Sequence, residues 1–171
     1  MTFASGGTGS ITQLLGVKVN MTAGLAVQEI PYKAIGAELP DLLAGHVKVG
    51  YLSPVVVAQH IRAGKLIALG VAGAHRIPIL SDVPTMAEMG LADIEAYGWN
   101  GIFVPAGTPK PIIQKLQADI SSLMATATFK AEAVNLGYEL GGASAEEFYA
   151  YIQSELTKWG RVIKDANIKA E

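Results

Sequence analysis

The stretch that decides the fold is residues 2–10, which read Thr-Phe-Ala-Ser-Gly-Gly-Thr-Gly-Ser. Residues 2–4 are typical of a short strand, and residues 10–23 can form a helix that Gly24 would end. Glycines between a strand and a helix let successive backbone N–H groups point into one concavity, where the helix N-terminus adds partial positive charge. The stretch predicts a turn that binds a carboxylate or phosphate. An ordinary strand-to-helix turn that only needs glycine is an equally good interpretation.

Strand-like and helix-like segments then alternate. Strands are predicted at residues 26–31, 47–52 and 66–72, and helices at 35–44 and 54–63. This rhythm is typical of an α/β fold with an open, mainly parallel sheet and flanking helices. The continuous apolar run at 66–72 predicts a strand that is buried on both faces.

Beyond residue 73 the rhythm changes. Capping boxes at Thr85 with Glu88 and at Ser144 with Glu147 predict helix starts. Residues 95–104 are an extended candidate, a cap at residues 108–109 opens a helix, and residues 138–140 are the one possible later strand. Helices are predicted at 108–126, 129–136 and 144–167. We therefore predict a ligand-binding α/β lobe at residues 1–104 and a C-terminal helical region at residues 105–171.

Composition excludes several functional classes. The 171 residues are 50% hydrophobic and only 16% charged, with a formal net charge of -2. No basic field is available for nucleic acid or an anionic membrane, and no apolar run approaches the ~20 residues that a membrane-spanning helix needs. There are no cysteines, which excludes disulfides and thiolate sites. No secretory signal is seen at the start of the chain.

Motifs for catalysis, metals and cofactors are also missing from the sequence. Ser10 follows Gly9, where a P-loop needs lysine, and Thr12 stands where the dinucleotide fingerprint needs a third glycine. Glu29 lies near the spacing of a ribose-binding acid, but inside the second strand, so we interpret it as coincidence. His46, His60 and His75 are widely spaced and give no metal-ligand pattern. We expect no catalytic residue, metal or cofactor.

Two other strand ends carry polar candidates. Tyr32 follows the second predicted strand, and Ser53-Pro54 follows the third, where Ser53 is also a predicted N-cap. Ligands in open α/β sheets lie beyond the carboxyl ends of the strands. The candidate ligand-binding residues are therefore Ser5, Gly6, Gly7, Thr8, Gly9, Ser10, Tyr32, Ser53 and Pro54.

The order of these pieces resembles the second domain of the Bug, or TctC-type, solute-binding proteins, the extracytoplasmic receptors of tripartite tricarboxylate transporters. The pieces that carry the resemblance are Ser-Gly-Gly-Thr-Gly-Ser at 5–10, Ile-Pro-Tyr-Lys at 30–33, Leu-Leu-Ala-Gly-His-Val at 42–47, Ala-Gly-Lys-Leu at 63–66, Asp-Val-Pro-Thr-Met-Ala-Glu-Met-Gly at 82–90 and Trp-Asn-Gly-Ile-Phe-Val-Pro-Ala-Gly-Thr-Pro at 99–109. The last two together are specific, whereas the glycine loop alone is not.

The resemblance implies a periplasmic-binding-protein-like lobe, from a receptor whose two α/β domains close on a small carboxylate without catalysis. It implies a periplasmic location, with membrane transporter subunits as partners; the chain as written shows no signal peptide and would stay in the cytoplasm if expressed as it is. It places Ser5, Thr8, Ser10, Tyr32 and Ser53 at the ligand cleft.

Three departures from the family pattern stand out. Residues 12–15 replace a helix start that is usually His-Leu-Ala-Glu-like, Lys48 replaces an acidic residue, and Pro40 interrupts a helix. The N-terminal portion of the family is not seen, so we expect a fragment or a truncated relative whose C-terminal helices would pack on the absent first lobe. The apolar stripe of the last helix then predicts self-association, such as a helix-exchanged dimer, or a partner segment. That stripe is Phe148, Tyr151, Ile152, Leu156 and Trp159.

Two alternatives remain open from the residues. One is a small α/β hydrolase or transferase that uses a serine of the glycine loop, which would need a general base nearby. The other is an interaction domain that does not bind a small ligand.

Overall fold

A three-stranded parallel sheet forms the centre of the N-terminal part of the chain. The computed structural model describes residues 1–135, 138–141 and 144–169. Strands β1 (Thr2–Ser5), β2 (Gln28–Pro31) and β3 (Val49–Gly50) are arranged in the order β2-β1-β3. Phe3 on the central strand pairs with Glu29 on one side and Val49 on the other. The predicted α/β class with a parallel sheet is confirmed.

Helices follow the strands in the predicted alternation. They are α1 (Ile11–Ala23), α2 (Leu39–Leu43) and α3 (Pro54–Arg62). Gly24 ends α1 in the left-handed region, as predicted. Helix α2 is much shorter than the predicted 35–44, because the chain before it forms turns and Pro40 lies in its first turn, where a missing N–H costs nothing.

The core of this part depends on close contact between β1 and α1. Phe3 is only 2% exposed, and a Cβ built on Gly16 of α1 would lie 2.3 Å from the Phe3 ring. The Tyr51 ring meets the same ring edge-on, with centroids 5.7 Å apart. Gly16 lowers helix propensity in the sequence, but here it lets the helix approach the aromatic ring.

The strand predicted at 66–72 is wrong. Only an isolated bridge between Val71 and Thr85 occurs there, and Ile67 and Leu69 are 85% and 66% exposed. An apolar run indicates a preference for burial, but it does not supply a neighbouring strand. In the described part of the chain, residues 95–104 and 138–140 likewise join no sheet.

The chain divides into two compact units. The first is Met1–Gly98 with Trp159–Glu171, and the second is Trp99–Lys158. Helices α4 (Lys110–Ala125) and α5 (Ala127–Asn135) lie in the second unit, and α6 (Ala145–Asp165) begins there and ends in the first. These boundaries differ from the single division predicted after residue 104, and that functional division stays a prediction.

The end of α6 belongs to the core of the first unit. Trp159, 8% exposed, and Val162 pack on Leu14 of α1, and the Lys18 ammonium lies 5.8 Å from the centre of the Trp159 ring. The expectation that Trp159 needs a separate lobe to cover it is therefore wrong, because α1 supplies an apolar surface for it. Leu156 remains 63% exposed.

The second unit has a small aromatic cluster and an open helix. Trp99 meets Phe148 and Tyr151 edge-on, with centroids 5.6 and 5.9 Å away, and Phe103 lies against Phe148. Helix α4, in contrast, contains no buried residue. The cluster itself is only partly buried, since Trp99 is 40% and Phe103 67% exposed, and Ala133 of α5 is the buried hydrophobic residue of this unit among the described residues.

Capping contacts agree with the sequence at two of the four helix starts where a cap is predicted. Thr85 with Glu88, and Ser144 with Glu147, form the predicted reciprocal capping boxes. The cap predicted at 108–109 differs, because the Thr108 hydroxyl donates to the Pro105 carbonyl and no side chain caps α4.

Candidate functional site

The carboxyl ends of the three parallel strands bring the predicted site residues to one edge of the sheet. The glycine loop follows the central strand β1, Tyr32 follows β2, and Ser53 lies just beyond β3. The chain runs from β1 to β2 on one side and then crosses to β3 on the other side of β1, so the strand order reverses there. The ligand crevice of such a sheet lies at this switch point, between β1 and β3. The glycine loop and Ser53 border this switch point.

The glycine loop is a tight turn at the start of α1. Gly7 and Gly9 have φ values of 97° and 77°, in the region that favours glycine. A Cβ on Gly7 would lie 2.7 Å from the Tyr32 carbonyl oxygen, whereas a Cβ on Gly9 would meet nothing within 4 Å. The Ser10 N–H donates to the Gly7 carbonyl over 3.1 Å and closes the turn.

Side chains accept three of the loop's N–H groups. Gly6 donates to Thr12 Oγ1 over 2.8 Å, Gly7 to Ser5 Oγ over 3.2 Å, and Gly9 to Gln13 Oε1 over 2.7 Å. The sequence led us to expect that these N–H groups converge on an open anion site. The structure differs, because each of the three donates to a side chain. They hold the shape of the loop instead.

Ser5 is fully buried, at 0% exposed, and its hydroxyl donates to Glu29 Oε1 over 2.5 Å. A hydroxyl has one hydrogen to give, so in this arrangement Ser5 has none for a ligand. The donor role predicted for Ser5 is therefore corrected. Glu29, interpreted as a coincidence in the sequence, is its partner; an acidic residue inside a short strand beside a hydroxyl-rich loop was the available signal.

Two hydroxyls of the loop differ in their surroundings. Thr8 is exposed at the tip of the loop. Ser10 is the N-cap of α1: its Oγ accepts the Gln13 N–H over 3.2 Å and lies 3.1 Å from Thr12 Oγ1. Thr8 is thus the more accessible donor of the pair.

Tyr32 forms a polar cluster with two residues that the sequence analysis missed. Its hydroxyl donates to Asp41 Oδ2 over 2.6 Å, and His46 Nδ1 lies 3.3 Å from Asp41 Oδ1. The hydrogen bond to Asp41, with burial second, raises the pKa of Tyr32 to about 12. The Tyr32 and His46 contacts hold the pKa of Asp41 below its usual range.

Ser53 stands at the N-terminus of the nine-residue helix α3, with Pro54 as the first helical residue. The Ser53 backbone is extended, as in an N-cap, but its side chain makes no capping hydrogen bond and is exposed. The predicted capping bond is therefore absent, and the hydroxyl faces solvent beside the switch point.

The described residues contain no group of three or more histidine or acidic side chains placed to hold a metal ion. The site at this edge is instead a set of hydroxyls and helix N-termini, the groups that bind anions.

Comparison with known proteins identifies the family of the chain. Residues 1–168 match the model of the tripartite tricarboxylate transporter family receptor. Protein BugT of Bordetella pertussis is 32% identical to this chain over 168 residues, which are 98% of this chain and 51% of that protein.

Solved structures are similar as well. R. palustris Rpa4515 with adipate has a TM-score of 0.85 at 27% identity, covering 98% of this chain and 56% of that one. The periplasmic binding protein BugD gives 0.80 at 28% identity, with 100% and 58% covered. MatC from Rhodopseudomonas palustris with bound malate gives 0.78 at 27% identity, with 95% and 56% covered.

The chain thus spans about half the length of these relatives. The family model covers nearly all of it, and the TM-scores show that the solved relatives share its fold. The chain belongs to the tripartite tricarboxylate transporter receptor family, which consists of periplasmic solute-binding receptors.

Proposed function

We propose that this chain is the ligand-binding portion of a solute receptor that holds a small carboxylate at the switch point between β1 and β3. The observation that carries the proposal is that α1 and α3 both begin at the loops flanking this point. Helix N-termini carry partial positive charge, so two of them beside one crevice favour an anion. Two solved relatives, Rpa4515 with adipate and MatC with bound malate, support a carboxylate.

In this proposal the candidate residues divide into two roles. Thr8, Ser10 and Ser53 supply hydroxyl donors, with Thr8 and Ser53 the most accessible. Pro54 starts α3 and Tyr32 lines the rim. The buried Ser5 and the three glycines give the loop its shape rather than contacting the ligand directly.

We also propose that the chain binds its ligand without transforming it. A serine hydrolase or transferase would need an accessible serine next to a general base. Ser5 is buried, and its hydroxyl is committed to Glu29. The hydrogen bonds of Ser10 join it to Thr12 and Gln13, neither of which is a base. This supports a binding function over the enzyme alternative.

A periplasmic location and membrane transporter subunits as partners are part of the same proposal, supported by the family. No helix in the part of the chain that the structure describes is long and apolar enough to cross a membrane.

We further propose that α4 binds a protein surface in the working receptor. Ile112, Leu116 and Leu123 lie on this helix and are 40–55% exposed. Amphipathic helices bury such a face. The proposed occupant is a second copy of this chain. Light scattering at micromolar concentration tests this: a dimer supports self-association, and a clean monomer overturns it.

Isothermal titration with adipate, malate and citrate tests the carboxylate proposal. At least one acid should bind, equally well with and without a chelator, and a Thr8→Val, Ser53→Ala double variant should weaken binding by roughly tenfold for two lost hydrogen bonds. Ser121→Ala, on the exposed surface of α4, is the matched control. Absence of binding by the unmodified chain at millimolar acid would overturn the proposal that this chain binds by itself.

A further inference from the structure

Two chains of hydrogen bonds from the glycine loop meet at one carboxylate. Glu29 lies on β2 opposite Phe3. Its Oε1 accepts the Ser5 hydroxyl over 2.5 Å, and its Oε2 accepts Gln13 Nε2 over 3.0 Å. Each series of hydrogen bonds begins at a backbone N–H of the loop, because Gly7 donates to Ser5 and Gly9 donates to Gln13.

The direction of these bonds is fixed chemically. A backbone N–H only donates, and an ionised carboxylate only accepts. The Gln13 amide must therefore point its oxygen to Gly9 and its nitrogen to Glu29, and the Ser5 hydrogen must point to Glu29. Ser5 and Gln13 are both buried, so water cannot easily replace a lost acceptor.

We propose that Glu29 is the positioning residue of the binding loop. It contacts no ligand itself; through Ser5 and Gln13 it fixes Gly7 and Gly9, which flank the exposed donor Thr8. This proposal rests on the proposed carboxylate site, whose affinity then depends on a loop held in place before the ligand arrives.

Reversal of the bond direction is the sharpest test. Glu29→Gln turns one acceptor into a donor that faces the hydroxyl of Ser5 or the amide of Gln13. Gln13→Glu sets a second carboxylate against Glu29. The double variant restores every bond: Gly9 donates to the new carboxylate at position 13, and the new amide at position 29 donates to it while still accepting from Ser5.

Two measurements distinguish an effect on the loop structure from an effect on ligand binding. Hydrogen exchange of the Gly7 and Gly9 amides, measured by NMR without ligand, should speed up roughly tenfold at one or both sites in each single variant. Titration with adipate and malate should show weaker binding in the same variants. The double variant should return both readouts to those of the unmodified chain. Glu132→Gln, the same change on an exposed helix position, should alter neither.

Unchanged exchange in Glu29→Gln, or no recovery in the double variant, would overturn the role of Glu29 in holding the loop. Faster exchange with unaltered binding would overturn its role in ligand positioning. If the unmodified chain binds no carboxylate, the proposed function fails, while the exchange cycle still decides whether Glu29 holds the loop.

Discussion

Apolar residues are buried where β1 contacts α1, but they are exposed on helix α4. Phe3 is buried in a notch that Gly16 leaves open, and a shift of either element would create a clash or a cavity. Leu123 and its neighbours on α4 are comparably apolar, yet no residue of α4 is buried. A similar composition thus yields a packed core in one place and an open face in the other, because burial needs a partner of matching shape.

The largest expected effect is on the packed side of this comparison. Phe3→Ala should lower the free energy of unfolding by about 3–5 kcal/mol, because it leaves a cavity against Gly16 and Tyr51. Leu123→Ala, at a position 55% exposed, should cost less than about 1 kcal/mol. Urea unfolding of both variants measures the difference. Equal losses would show that α4 is covered in solution.

Within the site, the two loop glycines give a matched pair. A left-handed backbone costs a residue with a Cβ about 1–2 kcal/mol. Gly7→Ala should lower the free energy of unfolding by more than this amount, because its Cβ also clashes with the Tyr32 carbonyl. Gly9→Ala should lower it by this amount only, because its Cβ meets open space. Carboxylate binding should fall further in the Gly7 variant. Valine at either position should weaken binding in the same order. Equal effects would contradict the role of the Tyr32 contact.

A stabilising change is expected inside the first unit. Glu38 is 0% exposed, and both of its carboxylate oxygens lack a hydrogen-bond partner among the described residues. Glu38→Gln removes an uncompensated buried carboxylate and should raise the unfolding free energy by roughly 1 kcal/mol. Thermal unfolding compares it with Glu132→Gln, which should be neutral. A loss of stability would mean that the Glu38 carboxylate has a partner in solution.

Much of the fold could be predicted because local signals and tertiary contacts agree. Strand β1, its glycine loop and α1 follow from turn chemistry and capping, and the capping boxes at Thr85 and Ser144 form as the spacing indicates. The segment 66–72 was mispredicted, because an apolar run carries no information on whether a neighbouring strand exists.

The sequence predicts that the candidate residues lie at one edge of the sheet, but it does not predict the direction of their hydrogen bonds. Ser5, Thr8 and Ser53 looked alike in sequence, as hydroxyls after strands. Only the fold shows that Glu29, 24 positions from Ser5, takes the Ser5 hydrogen. This partner depends on how β1 pairs with β2, and the sequence alone does not determine the register of that pairing.

The smallest expected effect concerns the Tyr32–Asp41 pair at the rim. Tyr32→Phe removes the donor that most strongly lowers the pKa of Asp41, so this pKa should rise, with His46 still holding it partly down. A carboxyl whose pKa is lower in the folded state stabilises the fold at pH values above its unfolded pKa, and this contribution is lost as the pH falls through the folded pKa. The difference in unfolding free energy between the unmodified chain and Tyr32→Phe should therefore disappear in acid.

Alkaline pH tests the other partner of the same hydrogen bond. The pKa of Tyr32 is raised from 10.0 to about 12, so its contribution to stability is complete below pH 10 and is lost as the pH rises toward 12. Urea unfolding of the unmodified chain and Tyr32→Phe between pH 10 and 12 measures this loss. In acid, carbon NMR titration of the Asp41 carboxyl in the unmodified chain, Tyr32→Phe and the exposed control Tyr138→Phe measures the coupling directly. Only the Tyr32 variant should shift the Asp41 midpoint upward. Identical midpoints in all three would mean that Tyr32 does not donate to Asp41 in solution, and that its hydroxyl is instead available to a ligand at the rim.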